Sequence, residues 1–146
     1  MRIIEPESKE DIAKYYALRY EILRKPWNQP EKSTKDETED QSVHFLMLND
    51  LDEAIATGRL QLNNPYEGQI RSMAVRKDCQ GQSYGSQVIN YIEMKARELN
   101  LKKIVLDARE PAVPFYRKHG YEIIADSYLL FGTIRHFRMS KDLSHI

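Results

Sequence analysis

The sequence has a single cysteine, Cys79, among its 146 residues. An internal disulfide is therefore excluded, and so is a cysteine-rich zinc site. It has no charge excess of either sign: Lys+Arg and Asp+Glu number 22 each. A polyanionic partner such as DNA or RNA is accordingly not expected. No apolar run approaches the ~20 residues that span a bilayer, so no membrane segment is expected. Met1 to Lys14 is charged throughout and lacks the apolar centre and cleavage site of a secretory signal. There is no internal repeat and no low-complexity tract. What these absences leave is a soluble, cytoplasmic chain long enough to bury one core.

What is present is an alternation of short strands and amphipathic helices. Met1–Ile4 reads as a strand stopped by Pro6, and Ser8 with Asp11 forms a capping box for a first helix. In that helix Ile12, Tyr15, Tyr16, Ile22 and Leu23 share a face, and Pro26 ends it. Pro26 to Gln41 is polar and reads as a long loop, of the kind that is either a functional lid or disordered. Val43–Leu48, Ala54–Leu62 and Gln69–Val75 read as strands separated by turns. Gly85 to Asn100 reads as a helix with Val88, Ile89, Ile92, Ala96 and Leu99 on its buried stripe. Lys103–Asp107 has the continuous apolar character of a strand in a parallel pair. A short helix opens at Pro111 and closes at Gly120, with Ala112, Phe115 and Tyr116 on one face, and Tyr121–Phe131 and Ile134–Met139 end the chain as strands. The order β-α-β-β-β-α-β-α-β-β implies a mixed α/β sheet with a strand–helix–strand unit at its centre.

Between the strand ending at Val75 and the helix lies Arg76-Lys77-Asp78-Cys79-Gln80-Gly81-Gln82-Ser83-Tyr84-Gly85-Ser86. Small residues at Gly81, Ser83, Gly85 and Ser86 let a ligand approach the backbone closely. The first turn of the helix adds unpaired N–H groups and the positive end of its dipole, which together suit a pyrophosphate. The competing interpretation is an ordinary turn with Ser83 as N-cap. A P-loop is excluded because Ser86-Gln87, not Lys-Ser/Thr, follows the last glycine. A dinucleotide fingerprint is excluded because its central glycine is missing.

Met73-Ala74-Val75 followed by Gln80-Gly81-Gln82-Ser83-Tyr84-Gly85 resembles motif A of the GNAT N-acetyltransferase superfamily. Ser83 stands where that motif usually has its first glycine. Downstream, Ala112-Val113-Pro114-Phe115-Tyr116-Arg117-Lys118-His119-Gly120-Tyr121 resembles the superfamily's Ala-x-x-Phe-Tyr-x-x-x-Gly-Phe/Tyr element, with Arg109 where many members carry asparagine. The stretches Leu18–Trp27 and Ile134–Met139 resemble the ElaA/YjcF-like subgroup, with Arg135 in place of a proline.

The resemblance implies one N-acetyltransferase domain over residues 1–146, with a mixed, mostly antiparallel central sheet and flanking helices. It implies transfer of acetyl from acetyl-CoA, used as co-substrate, to a primary amine by direct attack in a ternary complex, with no metal. The alternative is a non-catalytic acyl-CoA-binding or regulatory module of the same fold. A third reading reuses the cradle for a nucleotide. By resemblance Met73, Ala74 and Val75 hold the pantetheine, and Gln80, Gly81, Gln82, Ser83, Tyr84, Gly85 and Ser86 hold the pyrophosphate. Tyr116 matches the tyrosine that assists the departing CoA thiolate, against the plainer reading that it packs beside Phe115. Since tyrosine titrates near 10 and a thiol near 8.5, hydrogen bonding to the thiolate is the safer role. Arg71, a charge in an apolar strand, must reach a partner or a cleft; Arg71, His136 and Trp27 are candidates for the acceptor side. Glu67, His44 and His136 are candidates for general base, each with a structural alternative. His119 and Cys79 are read as structural. The acceptor is a small-molecule or peptide amine, and relatives of this kind are often homodimers.

Overall fold

The structure, a computed structural model, describes residues 1–143. Seven strands form one sheet: β1 (Arg2–Ile4), β2 (Ser42–Leu48), β3 (Ala54–Leu62), β4 (Glu67–Val75), β5 (Lys103–Arg109), β6 (Glu122–Leu130) and β7 (Ile134–Asp142). Their spatial order is β1-β2-β3-β4-β5-β7-β6. Only the β4–β5 pair is parallel; every other neighbour is antiparallel. The helices are α1 (Lys9–Leu23), α2 (Tyr84–Glu98) and α3 (Val113–Lys118). A parallel pair needs a crossover rather than a hairpin, and α2 supplies it between β4 and β5. No helix among the described residues is long and apolar enough to cross a membrane.

Helix α2 buries Val88, Ile89, Ile92 and Ala96, as their spacing predicts. Leu99 departs from the expected stripe: it is the C-cap and 40% exposed. Gly58 in β3 shows how closely α2 lies on the sheet. A Cβ there would sit 2.7 Å from Val88 and 2.8 Å from Ile92. Side chains alternate along a strand, so the next residue, Arg59, projects to the opposite face, where α1 lies. Thus α2 covers one face of the sheet, and α1 with the segment after it covers the other.

That second face joins a small apolar cluster of Tyr15, Leu46 and Leu48 to a buried ion network. Helix α1 starts at the predicted cap, with Asp11 N–H donating to Ser8 Oγ at 3.1 Å. Its buried residues are Tyr15, Leu18 and Arg19, whereas Ile12 is exposed. Arg19 donates to Glu39 Oε1 and to the Thr34 carbonyl, each at 2.6 Å. Fully buried Arg59 bonds Glu39 as well, and its Nη2 lies 2.8 Å from Asp36 Oδ2. The stretch read as a long loop is therefore pinned from two sides, and it folds as 3₁₀ turns at Lys25–Trp27, Glu31–Thr34 and Glu39–Gln41. The sequence reads only as a long loop there because the arginines that organise it lie in α1 and β3, far away in sequence.

Candidate active site

The two central strands part company. Strands β4 and β5 pair only from Glu67↔Lys103 to Ile70↔Leu106. Beyond that point β4 continues to Val75 beside β3, and β5 continues to Arg109 beside β7. The edge of β4 from Arg71 to Val75 that faces β5 thus has no strand partner, and its backbone groups are available to a ligand. A bulge opposite Gly58 assists the divergence: Ser72 adopts φ +56°, and Thr57 Oγ1 donates to its carbonyl at 2.8 Å. A cleft of about 1130 Å³ opens between the strands.

At one end of this cleft lies the glycine- and serine-rich loop. A 3₁₀ turn at Lys77–Cys79 leads to Gly81 (φ +81°) and Ser83 (φ +68°), and α2 begins at Tyr84. Ser83 is the N-cap by position, as the turn interpretation has it, but its side chain makes no capping bond. The first N–H groups of α2 are therefore left without a side-chain acceptor, and they sit at the positive end of the dipole. The left-handed φ also explains why glycine is usual at this position: an L-residue is strained there. Gln80 Nε2 donates to the Val75 carbonyl at 3.1 Å and ties the loop to the end of β4. Met73, Ala74, Val75, Gln80, Gly81, Ser83, Tyr84, Gly85 and Ser86 all line the cleft, and Gln82 does not. The Ser86 hydroxyl lies 2.9 Å from His119 Nε2, which gives His119 a structural partner. Several main-chain donors converging beside an unpaired strand edge suit a pyrophosphate joined to an amide-bearing arm.

Tyr116 lies in α3 and lines the same cleft. Its ring packs edge-on against Phe115 and Tyr121, at 5.0 and 6.0 Å between centroids. Its ring is therefore core, as the plainer reading has it, while its hydroxyl bonds to no protein group among the described residues. Nor is that oxygen among the sealed, unsatisfied ones. Burial pushes the phenol up to about 12, so it is a protonated donor at neutral pH.

The far end of the cleft opens on the α1 face. Arg71, Arg24, Arg109, Tyr128 and His136 line it. Strand register places Arg109 opposite His136. His136 is buried, stacks on Tyr128 at 4.4 Å, and has Nδ1 2.9 Å from the Ile134 carbonyl. A carbonyl can only accept, so Nδ1 carries a proton, and in the neutral ring Nε2 keeps its lone pair. Trp27 does not line the cleft itself; it stacks under the Arg109 guanidinium at 4.4 Å and supports it from behind. Arg71 reaches both a partner and the cleft, with Nη1 3.0 Å from Gln61 Oε1 and Nη2 3.5 Å from Asp36.

Other candidates fall elsewhere. His44 contacts Tyr15 Oη and the Glu39 carbonyl, each at 2.7 Å, and burial lowers its pKa. Both ring nitrogens are occupied, as befits a core histidine. Glu67 sits at the paired end of β4 and forms an ion pair with Lys103 at 3.3 Å, away from the cleft. Cys79, by contrast, does line the cleft, although it is packed in the main core cluster. Arg24 and Tyr128 were not singled out in the sequence. Arg24 belongs to the Leu18–Trp27 stretch, but nothing local shows that its side chain turns into a cleft.

Comparison with known proteins agrees with this geometry. The chain matches the Acetyltransferase (GNAT) family over residues 11–121. It is 28% identical over 142 residues to YjcF of Bacillus subtilis (strain 168), described as an uncharacterized N-acetyltransferase, covering 97% of this chain and 100% of that one. Its fold is similar to that of an N-acetyltransferase from Lactobacillus plantarum, with TM-score 0.87, 23% identity and 97% of each chain covered. Escherichia coli ElaA gives TM-score 0.81 at 19% identity, covering 96% of this chain and 97% of that one. An aminoglycoside 6′-N-acetyltransferase complexed with coenzyme A gives 0.80 at 15% identity, with 97% of each chain covered. The match to YjcF along the whole chain and the fold shared with ElaA support the ElaA/YjcF-like subgroup, and the chain belongs to the GNAT family of acetyltransferases.

Proposed function

We propose that this acetyltransferase uses acetyl-CoA and passes the acetyl group directly to a primary amine within a ternary complex. The observation that carries the reading is the continuity of the cleft, from the N-terminus of α2 along the unpaired edge of β4 to the arginine-lined α1 face. The co-substrate supplies an activated acyl group as its thioester. Main-chain donors at Gly81 to Ser86 are aimed where the pyrophosphate would lie, and the edge at Met73 to Val75 suits the pantetheine and the thioester carbonyl. Such fixed donors stabilise a developing oxyanion without reorganisation. The amine nitrogen bonds to the carbonyl carbon as the C–S bond breaks, so no enzyme nucleophile is required. The amine proton leaves to water or to His136, whose Nε2 is free to accept. Tyr116 donates a hydrogen bond to the departing thiolate; with its phenol near 12 and a thiol near 8.5, full proton transfer is uphill.

The test is thiol release from acetyl-CoA over a panel of amines, alongside calorimetric binding of acetyl-CoA. Turnover with any amine supports the proposal. Tight binding without turnover across the panel favours the non-catalytic acyl-CoA-binding module. Displacement of CoA by ATP or NAD points to a nucleotide site.

A further inference from the structure

The α1-facing end of the cleft holds more positive charge than the protein neutralises. Asp36 and Asp107 are the carboxylates that line this end, and each is engaged by an arginine outside the cleft lining. Asp36 is bonded by Arg59 at 2.8 Å, and Asp107 by Arg138 at 2.9 Å. Arg24 has no carboxylate partner among the described residues: its guanidinium donates to the Ser33 and Leu23 carbonyls, each at 3.1 Å, and lies 5.6 Å from the Phe131 ring. Arg109 likewise has none, and rests on Trp27 alone. Arg71 shares Asp36 with Arg59. Burial lowers the pKa of both Arg24 and Arg109; Arg19 and Arg71 lower that of Arg24 further, and Arg24 lowers that of Arg109 further. Half-buried cations gathered without counter-charge are costly unless a ligand completes them.

Resting on the acetyltransferase reading, we propose that the acceptor is a small amine that also carries a carboxylate, bound by Arg24, Arg71 and Arg109 beside His136. Guanidinium forks match a carboxylate in geometry as well as in charge. The same field serves the chemistry. Nearby positive charge disfavours the ammonium form of the acceptor, so more of it is the neutral nucleophile even without a strong base. A polyamine or an aminoglycoside, cationic and without a carboxylate, meets an excess of positive charge here.

The test pairs two measurements on the full chain. Thiol release from acetyl-CoA is compared for glycine, aspartate, glutamate, lysine and dipeptides against putrescine, spermidine and kanamycin. In parallel, the fluorescence of Trp27, the single tryptophan, is titrated with the same compounds, with and without acetyl-CoA. Expected are turnover with a carboxylate-bearing amine and saturable fluorescence change on its binding. In Arg24→Gln and Arg109→Gln, KM for that amine rises about tenfold or more, as loss of a charged hydrogen bond implies, while acetyl-CoA affinity stays within about twofold. Turnover confined to putrescine, spermidine or kanamycin overturns the inference and leaves the acetyltransferase reading intact. So does a KM unchanged in both variants. If acetyl-CoA fails to bind, the acetyltransferase reading falls, and the fluorescence titration still decides: no saturable response to any carboxylate-bearing amine overturns the arginine site.

Discussion

Two side chains in the cleft owe their behaviour to backbone and burial rather than to residue type. Ser83 holds φ +68° at the entry to α2, with no capping bond in return, and that conformation costs an L-residue roughly 1–2 kcal/mol. Ser83→Gly is expected to leave the melting temperature and acetyl-CoA affinity unchanged or improved, because relief of strain offsets the greater freedom of the unfolded chain. Ser83→Val is expected to lose about 1–3 kcal/mol of stability and to weaken acetyl-CoA binding; thermal melts and calorimetry read both. Tyr116 shows how burial selects a role. A phenol pushed up to about 12 stays protonated from roughly pH 6 to pH 10, so it donates over the whole working range. Tyr116→Phe is expected to lower kcat about 10²-fold, at the low end for general-acid groups, with acetyl-CoA affinity unchanged. Any alkaline limb of the rate below pH ~10 must then survive the substitution, since the limb belongs to another group.

At the scale of elements, the segment after α1 is latched by Glu39, which receives Arg19 and Arg59 together. Removing one partner of a buried pair leaves uncompensated charge and typically costs ~3–5 kcal/mol. Glu39→Gln is expected to destabilise by that order, seen in urea melts, and to raise proteolysis near residues 30–41. The latch also fixes a direction with pH. Burial alone would raise the pKa values of Glu39 and Asp36, but the hydrogen bonds from Arg19 to Glu39 and from Arg59 to Asp36 outweigh it and lower both. The unfolded chain thus binds these protons first, so the stability they contribute is present above their unfolded values near 4 and is lost below them, as pH falls through the lower folded values. Buried His44, with its pKa lowered, adds loss in the same direction from about pH 6.5 downward. Melting temperature is therefore expected to fall from about pH 6.5 downward through His44, and to fall further below pH ~4 through the latch, less steeply there in Glu39→Gln. The latch was illegible in the sequence because Arg19, Glu39 and Arg59 carry no local pattern. Elements with periodicity were legible almost to the residue: Ala54–Leu62 was read as it stands, and α2 began one residue early, at Tyr84.

For the molecule as a whole, the cradle was readable because small residues at a strand-to-helix junction leave a local signature. The splay it serves leaves no such local signature, since a strand does not record where its neighbour leaves it. Next to the splay in the sheet lies Gly58, whose missing side chain leaves room for Val88 and Ile92 of α2 to close onto β3 beside Met73. An added Cβ there would lie 3.0 Å from Met73 Sδ as well as against α2. Gly58→Ala therefore presses on the helix that ends the cradle and on the strand proposed for the pantetheine at once. Overpacking of this kind costs about 1–3 kcal/mol, and here a second effect is expected. In the unaltered protein, acetyl-CoA at a hundred times its Kd contributes about 2.7 kcal/mol by mass action, which for a chain of this size raises the melting temperature by several degrees. Ile104→Val, buried in β5 on the paired side of the split, supplies the control: it costs ~0.5–1.5 kcal/mol but leaves the split alone. The two variants should melt below the unaltered protein, yet only Gly58→Ala should lose most of the acetyl-CoA-induced rise. An equal rise in both would mean that the packing at Gly58 holds the fold together without shaping the cleft.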